Sequence, residues 1–119
     1  MNAVIDTNIL VDYAQTSKEA AVELGLYDKL FISRITWIEF LVSTKDAEEK
    51  AAREALLSAC FLLELDSVVA AEAVSIRRQT RLKLPDAIIL ATARVHGLLL
   101  VTRNSKDFSR HAPDVRIPY

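Results

Sequence analysis

The segment Ala3-Val4-Ile5-Asp6-Thr7-Asn8-Ile9-Leu10 sets an unbroken apolar run directly against three residues that favour helix N-caps. A strand with one wet face alternates polar and apolar residues, whereas an unbroken run suits a strand covered on both faces of a parallel sheet. Leu30-Phe31-Ile32, followed by Ser33, repeats the arrangement, and Phe61 to Leu65 and Leu98 to Val101 are two further runs. Helical patterns fill the intervals. One covers Ile9 to Ala14, and a second is capped by Ser17, with Ala20, Ala21 and Leu24 on its inner face and Gly25 near its end. Another follows Ser33 and contains Ile35, Ile38, Leu41 and Val42; the next runs from Asp46 to about Leu57, rich in Ala and Glu. Ser67 to about Thr80 is helical, and a last helix opens at Pro85 and runs to His96, with Gly97 as its stop. Val115 to Ile117 reads as a short edge strand. Strands alternating with helices make right-handed βαβ units. The expected fold is therefore α/β: a three-layer α/β/α sandwich with a central parallel sheet of about four to five strands, in one domain spanning residues 1–119.

The composition agrees with such a packed domain. Of 119 residues, 51% are hydrophobic and 26% charged, with 2 Gly and 3 Pro, which excludes a disordered, collagen-like or low-complexity chain. Cys60 is the one cysteine, so no intrachain disulfide forms; it reads as a small hydrophobe, and a reducing cytoplasm is the expected location. The first basic residue is Lys18 and the longest uncharged stretch, Ala55 to Leu63, has nine residues. Neither an export signal nor a membrane span is expected.

In open parallel sheets, ligands bind beyond the carboxyl ends of the strands. Four acids fall on segments that can converge there: Asp6 after the first strand, Glu39 on the helix after the second, Asp86 at the opening of an apolar helix, and Asp107 in the turn after the fourth strand. Each has a plain structural alternative. Asp6 can cap a helix. Asp86 gains about 0.3–1 kcal/mol from the helix dipole. Asp107 can be a solvated loop acid. Glu39 is harder to place, because its helical neighbours Ile35, Thr36, Val42 and Ser43 include no base, so it either faces solvent or awaits a cation. Two carboxylates about 4 Å apart repel by roughly 4 kcal/mol at an effective dielectric near 20, so four together call for a divalent cation. Oxygen-only ligands suit Mg²⁺, or Mn²⁺ as a substitute, and the chemistry that follows is metal-dependent phosphoryl hydrolysis.

The segments Val4 to Leu10, Ile35-Thr36-Trp37-Ile38-Glu39, Leu84 to Ala93 and Val101-Thr102-Arg103-Asn104-Ser105-Lys106-Asp107-Phe108 resemble, in order and spacing, the PIN-domain nucleases, and more narrowly the VapC toxins of toxin–antitoxin pairs. The resemblance implies that Asp6, Glu39 and Asp86 are the core metal-binding and catalytic acids, with Asp107 the more variable fourth. Thr7 and Asn8 would shape the surroundings of the metal, and Thr102 and Asn104 would be polar support. It further implies an Mg²⁺-dependent endoribonuclease acting on RNA through activated water, a cognate VapB-type antitoxin, and a homodimer contacting through apolar early helices. Ser43 departs from the Gly that relatives often carry after the catalytic Glu, without touching the ligand set.

The net charge of −1 hides an asymmetry. Residues 1–75 hold 6 bases and 13 acids, a balance of −7, and residues 76–119 hold 9 and 3, a balance of +6. Arg77, Arg78, Arg81 and Lys83 precede Asp86, and Arg103, Lys106 and Arg110 surround the last motif. These bases are either a solvated helix end or a track for the RNA backbone, the second reading naming Arg77, Arg78, Arg81, Lys83 and Arg103. His96 reads as a helix-end residue, His111 as loop surface, and Trp37, Phe40, Phe61 and Phe108 as core or interface. Two other classes compete. A silent PIN module would bind RNA or a protein without cutting. A phosphatase or phosphoacceptor domain would use Asp6 as nucleophile, but the second Asp that such sites carry two residues on is here Asn8.

Overall fold

A computed structural model describes residues 1–109 and 112–119. Arg110 and His111, considered above, lie outside the described residues. The elements follow in the order β1 Asn2–Ile5, α1 Thr7–Ala14, α2 Lys18–Leu24, β2 Lys29–Ser33, α3 Arg34–Val42, α4 Ala47–Ser58, β3 Phe61–Leu63, α5 Ser67–Gln79, α6 Leu84–Val95, β4 Leu99–Val101 and β5 Val115–Arg116. The five strands form one sheet in the order β3-β2-β1-β4-β5, and every pairing is parallel. The expected parallel-sheet sandwich is what the chain forms.

Local chemistry sets the element boundaries. Ser17, Ser33, Asp46 and Asp66 each accept a hydrogen bond from a backbone N–H in the first turn of the helix they precede, at Ala20, Thr36, Glu49 and Val69 respectively. Pro85 occupies the first turn of α6, where its missing N–H costs nothing, and Gly97 ends that helix at φ +64°.

The pleat of β1 divides the interior into two cores. Val4 points to one side, where Val69, Ala73 and Ile76 of α5 and Ala87, Leu90 and Ala91 of α6 close over it. Ala3 and Ile5 point to the other, against Ile9 and Leu10 of α1, Leu24 of α2, Phe40 of α3 and Leu57 of α4. Both faces of β1 are dry, which is why its sequence does not alternate.

One inner face differs from expectation. On α2 the buried residues are Ala20, Glu23 and Leu24, while Ala21 is exposed. Glu23 is admitted because it is neutralised in place: Arg116 donates to both its oxygens at 2.6 and 2.9 Å and the Tyr27 hydroxyl donates at 2.5 Å. The pairing holds the Glu23 carboxyl below its ordinary range despite desolvation. Arg116 lies 93 positions away, so no local pattern announces it. Among the described residues no helix is long and apolar enough to cross a membrane.

Candidate active site

Chain order along the sheet reverses beside β1: β2 and β3 lie on one side of it and β4 and β5 on the other. Adjacent parallel strands whose connections leave in opposite directions open a crevice at their carboxyl ends. The residues at that crevice are Asp6, following β1, and Thr102, following β4; Asp6 N–H donates to Val101 O at 2.9 Å and fixes the start of α1.

Asp6 is both a cap and a buried acid. It is 4% exposed, and its Oδ1 accepts from Thr7 N at 2.7 Å. Its Oδ2 accepts from the Thr102 hydroxyl at 2.6 Å and from Asn8 Nδ2 at 3.3 Å. The capping and site readings of Asp6 are therefore not exclusive. Desolvation pushes its carboxyl up and the nearby Glu39 adds to that, while the Thr102, Thr7 and Asn8 hydrogen bonds pull the other way.

Glu39 is half-buried on α3 and receives the Thr7 hydroxyl at 2.6 Å. Thr36 Oγ1 lies 3.2 Å from Thr7 Oγ1, and Ser33 Oγ lies 3.4 Å beyond it. A line of neutral hydroxyls thus meets the acid whose partner was missing from the sequence.

Asp86, in the first turn of α6, has its carboxyl pushed up to about 6, first by burial and then by the charges of Asp6, Asp107 and Glu39, with Lys83 opposing. That influence puts the four acids within electrostatic reach of one another. Asp107 is exposed; its carboxylate accepts from Asn104 Nδ2 at 2.9 Å and its N–H donates to Asn104 Oδ1 at 3.3 Å. Buried Phe108 anchors that turn in the core.

The supporting residues form one network. Asn8 Nδ2 also reaches Thr102 Oγ1 at 3.3 Å, Asn8 Oδ1 accepts from Arg103 N at 3.0 Å, and Asn104 N donates to Thr102 Oγ1 at 3.1 Å. Among the described residues every hydrogen bond to the side chains of Asp6 and Glu39 comes from a neutral group. Among the described residues no base forms an ion pair with any of the four acids. The donor set is hard, anionic and uncompensated, which suits Mg²⁺ or Mn²⁺. Among the described residues no three His, Cys, Asp or Glu side chains form a ready-made cage. The donor set thus matches an ion held by one or two carboxylates, whose remaining ligands are water and substrate oxygens.

The bases are distributed differently. Arg78, Arg81 and Lys83 are exposed and make no ion pair among the described residues, and Lys83 sits at the N-cap of α6. Arg77 donates to Leu82 O at 3.1 Å, tying α5 to the following loop. Arg103 is engaged with Asp12, Nε to Oδ2 at 2.7 Å and Nη2 to Oδ1 at 3.3 Å. Asp12 escapes a motif reading, although its place four residues after Asn8 on one helix face is the signal that could have found it.

A second hidden residue is Arg53, which donates to Phe40 O at 2.7 Å and Ser43 Oγ at 2.8 Å and stacks 4.6 Å from the Phe40 ring centre. Ser43 in turn donates to Glu39 O at 3.3 Å, so the residue that departs from Gly secures the end of α3. Arg53 and Ser43 also line a groove of about 810 Å³ that runs between α1, α2 and α4 past Val11, Ala14 and Leu56; none of the four acids lines it.

A family model for the PIN domain matches residues 3–113. No curated protein matches the chain by sequence. Among solved structures, a chain of a toxin–antitoxin complex from Klebsiella pneumoniae is 41% identical, with a TM-score of 0.92 and 98% of each chain covered. VapBC2 from Rickettsia felis, solved on a promoter DNA fragment, matches at 21% identity and a TM-score of 0.80 over 98% of this chain and 96% of that one. FitAcB from Neisseria gonorrhoeae matches at 23% and 0.78, over 99% and 98%. The last two likenesses carry the fold alone.

Proposed function

The chain belongs to the PIN domain family, and from that premise we propose that it is the toxin of a VapBC-type pair, a divalent-metal-dependent endoribonuclease. The observation that supports this reading best is that Asp6, Glu39, Asp86 and Asp107 lie within electrostatic reach of one another near the carboxyl ends of β1 and β4, with no ion pair to any of them among the described residues.

In this reading Asp6, Glu39 and Asp86 would surround Mg²⁺, one or two of them binding it directly and the rest through water, with Asp107 at the exposed rim. The ion, when bound, polarises the phosphodiester and lowers the pKa of a water. The protein's own residues do the positioning. Thr102 and Asn8 fix Asp6, Thr7 fixes Glu39, and burial keeps Asp6 from swinging into solvent. Arg78, Arg81 and Lys83 offer exposed positive charge on the approach to Asp86 for the RNA backbone. The groove between α1, α2 and α4, lined by Val11, Ala14 and Leu56 together with Lys18, Lys45 and Arg53, offers a seat for a segment of an antitoxin, the 41% identical relative being part of a toxin–antitoxin complex. Exposed Trp37, Ile38 and Val42 on α3 are candidates for contact with a second copy.

Asp6→Asn removes the charge and leaves one oxygen to cap Thr7 N–H, while its amide NH2 replaces the oxygen that accepts from Thr102 and Asn8. We expect it to stay folded at the assay temperature yet to release no fragments from a mixed RNA substrate in Mg²⁺, and EDTA to silence the wild type equally. Cleavage by Asp6→Asn, or undiminished cleavage in excess EDTA, overturns the assignment. A wild type that binds RNA but never cuts it identifies a silent module instead.

A further inference from the structure

We infer that Asp12 and Tyr119 are positioning residues for the acid cluster, acting through Arg103 to fix the loop that carries Thr102, Asn104 and Asp107. The inference rests on the nuclease reading for its consequence, but its geometry stands separately.

Two attachments meet at Arg103. Its backbone N–H donates to Asn8 Oδ1 at 3.0 Å, and the same Asn8 side chain donates to Asp6. Its guanidinium grips both oxygens of Asp12 one helical turn further along α1, and the Tyr119 hydroxyl donates to Asp12 Oδ2 at 2.8 Å. The Asp12 side chain is only 17% exposed, so its charge is held in a partly dry place where a fork of hydrogen bonds is directional. A carboxylate that receives Arg and Tyr together has little freedom to turn. Its orientation fixes Arg103, and Arg103 fixes the backbone on which Thr102 reaches Asp6.

A parallel attachment comes from β5. Thr102 N–H donates to Arg116 O at 3.0 Å, and the Arg116 side chain is locked onto buried Glu23. The segment 115–119 therefore braces the Thr102–Asp107 loop from two sides, one through Glu23 and one through Asp12. Neither Asp12 nor Tyr119 touches any of the four acids, so each acts at one remove. Arg103 is accordingly a link in the clamp, with its guanidinium directed at Asp12 and not at the approach to Asp86.

Tyr119→Phe removes one hydroxyl and keeps the ring; Asp12→Asn removes the charge that holds Arg103. Outer-shell partners of metal ligands change metal affinity by about 10–100-fold, and for groups one layer further out we expect about a three- to tenfold weakening. The measurements are Mn²⁺ affinity by calorimetry without RNA, kcat and KM for RNA cleavage well below the melting temperature, and amide exchange of residues 102–107. Both variants should weaken Mn²⁺ binding and lower kcat at unchanged KM, with faster exchange in the loop. The double variant should lose little more than Asp12→Asn alone, and Asp12→Glu should restore part of the loss. Wild-type values for Mn²⁺ affinity, kcat and loop exchange in Tyr119→Phe overturn the inference. So does a loss confined to KM, which would make Arg103 an RNA contact. If Asp12→Asn fails to fold, Tyr119→Phe decides alone. If the wild type neither binds Mn²⁺ nor cuts RNA, the nuclease reading fails, and the amide exchange still decides the clamp.

Discussion

Replacing Asp86 by Asn should abolish activity and at the same time make the metal-free protein more stable at neutral pH. The Asp86 carboxyl is raised from its ordinary 3.8 to about 6 by burial and by Asp6, Asp107 and Glu39. A carboxyl whose folded pKa lies above its unfolded value favours the folded state only while protonated. Its contribution is present in full below about pH 3.8 and is lost as the pH rises through about 6. A gap of about two units corresponds to roughly 3 kcal/mol. Asp86 is only half-buried, and solvent screening reduces this to about 1 kcal/mol. For a domain of this size that is about 4 °C in melting temperature. Thermal melts of wild type and Asp86→Asn in EDTA, at pH 7.5 and pH 4.0, test the argument. The variant should melt higher at pH 7.5 and no higher at pH 4.0. Millimolar Mg²⁺ should then raise the wild type and leave the variant where it was, because only a binding-competent fold is stabilised by mass action. A variant that melts below wild type at pH 7.5, or gains equally at both pH values, refutes the claim that burial and the neighbouring acids together disfavour the Asp86 charge.

Three further outcomes follow from other parts of the molecule. Glu23→Gln breaks the Arg116 pair and should cost about 2 kcal/mol in urea unfolding at pH 7, less than the 3–5 of a fully buried pair because Arg116 is half exposed; the cost should shrink as the pH falls through the depressed Glu23 pKa. Phe40→Ala empties the centre of the core under α1 and α4 and removes the ring on which Arg53 stacks, so a loss of about 3–5 kcal/mol is expected by the same assay. Arg78→Ala with Arg81→Ala should weaken RNA binding and make its salt dependence shallower by about 0.7 per lost phosphate contact, with melting unchanged; an unaltered salt slope removes the basic track from the mechanism.

What could be read from the sequence was what depends on neighbours along the chain. Apolar runs gave the strands, Ser17 gave the cap of α2, and Pro85 and Gly97 bracketed α6. Asp6 and Asp86 stood out because one follows a strand and the other opens a helix, Asp107 because it lies in the turn after β4, and Glu39 because no base stands near it on α3. What escaped depends on pairs distant in sequence. Glu39 finds its hydroxyl donor 32 positions away in Thr7, and Glu23 is turned inward by a base 93 positions on, contrary to its charge and at the expense of Ala21. Arg103 lies among the bases read as a track for RNA, and nothing nearby in the sequence reveals its bond to Asp12, 91 positions distant. The PIN resemblance could be read from four short segments in register, and the match of the family model over residues 3–113 agrees with it.

The place of β1 at the middle of the sheet carries a temporal consequence. The first strand to leave the ribosome waits for β2 on one flank and for β4 on the other. The Thr102 hydroxyl that fixes Asp6 arrives 96 residues after it. Contacts so distant close slowly, because loop entropy is lost before any bond is gained. A nascent chain that has not yet reached Leu99 has no β4, and hence no Thr102 to hold its first acid. If the chain is a toxin, the ordering of its strands delays assembly of the harmful site until β4 has followed β1 out of the ribosome.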